Sequence, residues 1–158
     1  MNQTRIITLV TLLAGLVLAV VLTQVGGDDE ESAPAELTKP EVEVPDGPPP
    51  DELEVTDLTE GDGAEAEAGD TVSVQYVGVN YSNGEEFDSS WSTGQPFELQ
   101  LGSGSVIPGW DEGIAGMKVG GRRELVIPPD LAYGSQGRPP DIGRNETLVF
   151  VVDLVDIR

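Results

Sequence analysis

Residues 51–158 predict an α+β domain in which an antiparallel sheet curls around a single short helix. Two observations carry that expectation. Apolar residues alternate with polar ones in several short runs, which is the period of a half-buried strand. Only one stretch has helical spacing, and several strands with a lone helix make an α+β layer arrangement. Ahead of this domain stand an apolar N-terminal segment, 1–25, and an acidic, Pro-rich stretch, 26–50.

Leu53 to Leu58 reads as a first strand. Val72, Val74 and Tyr76 alternate with Ser73, Gln75 and Val77, giving a second. Asn83-Gly84 follows, a strong tight-turn signal between strands. Phe97, Leu99 and Leu101 alternate with Glu98 and Gln100. Trp110, Ile114 and Met117 fall at i, i+4 and i+7, and Asp111 and Glu112 sit in the first turn, where acid suits the helix dipole. This helix has two to three turns and ends near Gly120-Gly121. A strand from Glu124 to Ile127 comes next. Thr147 to Ile157 is the longest run, with Phe150, Val152 and Leu154 on one face. One helix cannot cover both faces of five strands, so one face is expected to be wet.

The chain has no Cys and no His. Disulfides, Cys nucleophiles, His bases and Cys/His zinc sites are therefore excluded. A Ser-His-Asp triad is excluded as well. The 29 Asp and Glu could in principle hold a hard cation, but no loop has the EF-hand spacing, and no metal or cofactor is expected. Net charge is −21, so no basic footprint for nucleic acid exists. Such acidity suits either solubility by self-repulsion or a saline habitat.

Residues 6–25 read IITLVTLLAGLVLAVVLTQV, with no charge. Twenty helical residues span about 30 Å, the hydrocarbon thickness of a bilayer. Arg5 precedes the run and Asp28, Asp29, Glu30 and Glu31 follow it, which places the N-terminus in the cytoplasm and the domain outside. The run exceeds a signal peptide's apolar region, so an uncleaved signal-anchor over 1–25 is expected; secretion after cleavage is the alternative. Residues 26–50 carry eight acids, one Lys and six Pro, and no core is expected there. This stretch reads as an extended, semi-rigid spacer or as a disordered tail.

Six segments of the domain together resemble the FKBP-type peptidyl-prolyl isomerases. Gly84-Glu85-Glu86-Phe87-Asp88-Ser89-Ser90 is similar to the family's G-x-x-F-D-S-S turn. Pro96-Phe97 before Leu101-Gly102 is similar to P-F-x-F-x-L-G, and Val106-Ile107-Pro108-Gly109-Trp110-Asp111-Glu112-Gly113 to V-I-x-G-W-E-E-G. Met117 to Arg122 is similar to M-x-V-G-x-R. Ile127-Pro128 with Leu131-Ala132-Tyr133-Gly134 is similar to I-P-x-x-x-A-Y-G, and Thr147-Leu148-Val149-Phe150 to the closing T-L-V-F. The match runs in order from about Leu53 to Ile157.

The resemblance implies a five- or six-stranded antiparallel sheet curled around one short helix. It implies acceleration of X-Pro amide rotation, with no bond made or broken, in exported proteins that need help folding. A weakly catalytic chaperone, or a tethered peptide-binding module of the same fold, is the alternative. Implied partners are proline-containing polypeptides and macrolide immunosuppressants. Trp110 is then the pocket floor, with Tyr76, Phe87, Phe97, Val106, Ile107 and Phe150 as walls. The Tyr133 hydroxyl and the Ile107 N–H meet substrate carbonyls, and Asp88 orients the polar side. Ile142 keeps the family's apolar residue in the loop over the pocket. Taken singly, Trp110 reads as core, Asp88 as a turn former and Tyr133 as a loop anchor. The loop after Tyr133 departs from the family at Arg138, Asp141, Gly143 and Arg144. Trp91 either extends a peptide-binding rim or packs the loop.

Overall fold

The computed structural model describes residues 37–158. The expected membrane segment and the first part of the spacer lie outside them. No helix among the described residues is long and apolar enough to cross a membrane.

Six strands form one antiparallel sheet: β1 (Glu54–Thr59), β2 (Thr71–Asn80), β3 (Glu86–Ser89), β4 (Phe97–Gln100), β5 (Arg122–Ile127) and β6 (Leu148–Ile157). Their order is β1-β5-β6-β2-β3, and β4 also pairs with β2. The long β2 therefore has a divided outer edge. Thr71 to Val74 pair with β4, and Val77 to Val79 pair with β3. Strand β3 is one the alternation does not announce. Gly84 N donates to Asn80 O and Asn80 N to Glu85 O, so the Asn83-Gly84 turn closes as a longer loop than a two-residue hairpin.

The one α-helix among the described residues, α1, is Pro108–Ile114. Proline at its start suits a position whose N–H would have no partner. It ends earlier than the spacing of Met117 implies. Ala115 turns extended, at ψ 133°, and the following chain pairs with 64–66 through Gly116 N to Ala66 O and Ala66 N to Met117 O. Met117 still reaches the core, from a turn and not from a helix face. Arg123 closes the helix by donating to Gly113 O at 2.9 Å and Ala115 O at 3.2 Å, a cation serving unpaired C-terminal carbonyls.

Strand alternation sorts the core. Val72, Val74, Leu125, Ile127, Leu148, Phe150, Val152 and Leu154 point inward and pack on Trp110 and Ile114 of α1. On the opposite face Val77, Val79, Val126 and Val149 form a second cluster, also buried.

The expectation of a wet face is therefore corrected over those four valines. Residues 38–50, assigned to the spacer by composition, lie across them as a strap within the compact unit Thr38–Arg158. Val42 and Val44 pack on the cluster together with Tyr81 and Trp91. The Tyr81 hydroxyl donates to Pro45 O at 3.0 Å, Lys39 pairs with Glu86 at 2.8 Å, and Arg122 donates to Thr38 O at 2.8 Å. The same Arg122 grips the buried Asp153 through two bonds of 2.7 and 2.9 Å. Trp91 packs here, on the outer cluster, and does not line the cleft on the inner face.

Candidate active site

The inner face opens at one end into a cleft of about 320 Å³, within the size range of small-ligand sites. Its base is aromatic. The Trp110 ring, nearly buried, stands edge-to-face with Tyr76 at 4.8 Å and with Phe150 at 5.3 Å between centroids. Phe97 meets Trp110 at 6.1 Å and Phe87 meets Phe150 at 5.5 Å. Such pairs add about 0.5–1.5 kcal/mol each beyond area burial. Gly78 makes room for them. A Cβ there would lie 2.6 Å from Phe150 and 2.7 Å from Phe87. The Trp110 indole N–H is buried with no acceptor among the described residues.

One carboxylate enters this apolar surround. Asp88, on β3, accepts from the Tyr76 hydroxyl at 2.7 Å and from Ser89 N at 2.9 Å. Burial raises the Tyr76 hydroxyl well above the ordinary phenol pKa. The bond to Asp88 and its charge add to that, and Arg138 works slightly against it. Tyr76 therefore remains a proton donor at any physiological pH and fixes the Asp88 oxygen.

The cleft's other walls are held by neighbouring loops. Asp111 of α1 accepts from Gly102 N at 2.9 Å and Gly104 N at 3.2 Å. This fastens the loop that delivers Val106 and Ile107. The Ile107 carbonyl starts α1 by accepting from Trp110 N at 2.9 Å. Its own N–H makes no hydrogen bond among the described residues. Tyr133 follows a 3-10 turn at Pro129–Leu131, and Gly134 N donates to Pro129 O at 2.9 Å. The Tyr133 hydroxyl has no partner among the described residues.

Of the residues the sequence nominates, Asp88, Tyr133, Trp110, Tyr76, Phe87, Phe97, Val106, Ile107 and Phe150 all line the cleft. Ile142 does not: it is 1% exposed and belongs to the main core beneath the loop. Ser105 and Arg138 also line the cleft. Arg138 lies over Tyr133, its guanidinium carbon 5.9 Å from the ring centroid. The sequence signalled Arg138 only as a departure; nothing marked Ser105.

Other concavities carry less chemistry. One at Asp57, Lys118 and Arg123 holds only about 40 Å³. A larger one, of about 600 Å³, is lined by Glu98, Asp156 and Arg158, whose charges already pair with one another.

The family model described as FKBP-type peptidyl-prolyl cis-trans isomerase matches residues 63–155. An FK506-binding protein of Streptomyces anulatus is 58% identical over 122 residues, covering 77% of this chain and 98% of that protein. A probable FK506-binding protein of Corynebacterium glutamicum is 52% identical over 120 residues, covering 75% and 98%. A 39 kDa FK506-binding nuclear protein of Drosophila melanogaster is 52% identical over 102 residues, which make up 28% of its length. This chain belongs to the FKBP-type peptidyl-prolyl cis-trans isomerases.

Proposed function

We propose that the aromatic cleft over Trp110 is where this isomerase turns X-Pro bonds. The reaction must lower a barrier of about 18–20 kcal/mol for rotation about a partly double C–N bond. A thousandfold gain needs only about 4 kcal/mol. The planar amide is the more dipolar state, so a cleft with five rings in place of water favours the twisted one. Hydrogen bonds formed best in the twisted state add to this. Ile107 N–H and the Tyr133 hydroxyl serve that purpose, since neither is committed elsewhere among the described residues. Asp88, held by Tyr76, sets the polar side of the cleft and keeps its charge at a fixed distance from the rotating carbonyl. The prolyl ring rests on Trp110.

The observation that carries this reading is the convergence of one fixed carboxylate, one uncommitted phenol and five edge-to-face rings on a single cleft. Isomerisation of an Ala-Pro peptide is the test. Tyr133→Phe is expected to lower kcat/KM about tenfold with the fold intact; a folded Tyr133→Phe at full rate refutes the role of the hydroxyl.

The relatives' names extend the proposal to a macrolide of the FK506 type in the same cleft. Titration of such a macrolide into the isomerase assay tests this, and an unaffected rate excludes it. The apolar run 6–25 with Arg5 before it and acids after it supports a membrane-anchored enzyme acting on exported proteins outside the cytoplasm. Release after cleavage is the second form. Domain digestion by external protease on intact cells supports export; protection overturns it.

A further inference from the structure

The basic residues of this chain are few and mostly spoken for. Lys39, Lys118, Arg122, Arg123 and Arg158 each lie within 4 Å of a carboxylate. Among the described residues, only Arg138 and Arg144 have no such partner. Both belong to the loop between Tyr133 and Thr147, and Arg138 lines the cleft. In a chain of net charge −21, an uncompensated guanidinium at the mouth of the reactive cleft is a local reversal of sign.

The loop holds that charge in place. Arg138 N donates to Ile142 O at 2.9 Å and Ile142 N to Arg138 O at 3.0 Å. Ile142 is buried in the core, so the pair anchors the loop's base. Asn80 Nδ2 donates to Asp141 O at 2.8 Å. Gly137, at φ +62°, has no room for a Cβ, which would strike the Gly143 carbonyl. The guanidinium then lies over the Tyr133 ring at cation–π range. A guanidinium held over a ring without an ion-pair partner leaves its N–H groups for a carboxylate, which it can meet with two parallel bonds. Asp88 across the cleft does not take this role. It already accepts from Tyr76 and Ser89, and it forms no ion pair with Arg138.

We infer that Arg138 is a specificity-determining residue, favouring substrates with an Asp or Glu directly beside the isomerised proline. The inference rests on the cleft over Trp110 being the isomerase site. Two fields compete for such a substrate. The chain's overall negative charge repels it at long range, but is screened beyond about 8 Å at physiological ionic strength. Arg138 acts at contact distance and wins there. Because it is exposed, its effect is that of a surface ion pair, about threefold in rate.

The test uses the full chain and peptides carrying Glu or Gln immediately before or after one proline. Isomerisation is followed by NMR exchange, which needs no coupling protease. At low salt, kcat/KM for Glu over Gln is expected near three in at least one of the two positions, and near one in 1 M salt. Arg138→Gln inverts the ratio to below one at low salt, because only the repulsive field remains. Arg138→Lys retains part of the preference, and Arg144→Gln leaves it unchanged. A wild-type ratio of one or less at both positions overturns the inference, as does a preference that survives Arg138→Gln. A merely structural role lowers Glu and Gln rates together and leaves their ratio intact, which overturns it too. The site itself is tested separately: Trp110→Leu with an unaltered Ala-Pro rate removes the cleft, whereas a slowed Ala-Pro rate with equal Glu and Gln rates removes only Arg138's role.

Discussion

The two faces of this sheet are both buried over their middle, by opposite means. The inner face closes on α1 and on its own aromatic rings, and leaves a cleft at one end. The outer face closes on a strap of extended chain held by two valines, a phenol and the Lys39–Glu86 ion pair. Inside, contacts are apolar and the polar groups serve the cleft. Outside, the main buried polar feature is the Arg122–Asp153 pair, which also receives the strap through Thr38 O. A single run of alternating residues in β6 feeds both faces: Phe150 and Val152 go inward, Val149 and Asp153 outward. On the proposed reading the difference divides labour, with stability drawn from both faces and chemistry from one.

The largest expected break lies outside. Asp153→Ala leaves Arg122 mostly covered and without a carboxylate partner, at a cost of about 3 kcal/mol. Denaturant unfolding at neutral pH measures it, and a loss below about 1 kcal/mol contradicts the pair's importance. Replacing both partners, as in Arg122→Met with Asp153→Leu, should recover most of the loss, since the desolvation of both charges goes with them. The next break lies inside. Trp110→Leu is expected to lower kcat/KM about a hundredfold, equivalent to ~2.7 kcal/mol of transition-state stabilisation, measured where the variant is still folded. Third comes the strap. Val42→Ser with Val44→Ser gives up about 1.5 kcal/mol of apolar burial between them. Their midpoint of unfolding should fall while Ala-Pro turnover holds. A fall in turnover would show that the faces are coupled and that the division is false.

How legible each face was follows from the length scale of its signal. The inner face could be read because its alternation runs over four to ten residues and its rings stand in recognisable order. Trp110 by itself looked like core and is core; the cleft role proposed for it needed Tyr76, Phe87 and Phe150 placed around it. Ile142 misled because its position in the loop is that of a cleft residue, but its side chain points down and pins the loop. Met117 misled because a turn at Ala115 brought it to where a third helical turn would have. The strap was hidden by composition. Six Pro and eight acids in residues 26–50 look incapable of a core. The local pattern Pro40-Glu41-Val42-Glu43-Val44-Pro45 nevertheless alternates with period two, and it is this pair of valines that docks. A pattern so short carries no weight until the valines it needs, on β2, β5 and β6, are known to share a face.

The smallest prediction tests how tightly the strap is held. Glu124 on β5 has its pKa raised, chiefly by burial and further by the like charges of Glu43 on the strap and Glu54 on β1. A carboxyl whose folded pKa exceeds its unfolded one destabilises when ionised. That penalty is fully present above the folded pKa and is relieved as pH falls through it toward the ordinary carboxylate range. Glu124→Gln should therefore stabilise at pH 7, by about 0.3 kcal/mol once solvent screening of a half-exposed group is allowed for. The gain should fade as pH falls through the folded pKa toward the ordinary carboxylate range, and shrink in 1 M salt as the share owed to Glu43 and Glu54 is screened. Adding Glu43→Gln on top of Glu124→Gln should give less than it gives alone, because the repulsion it relieves is already gone. Additive effects would mean that the strap does not lie against β5 in solution, and the outer face would then owe its burial to Tyr81 and Trp91 alone.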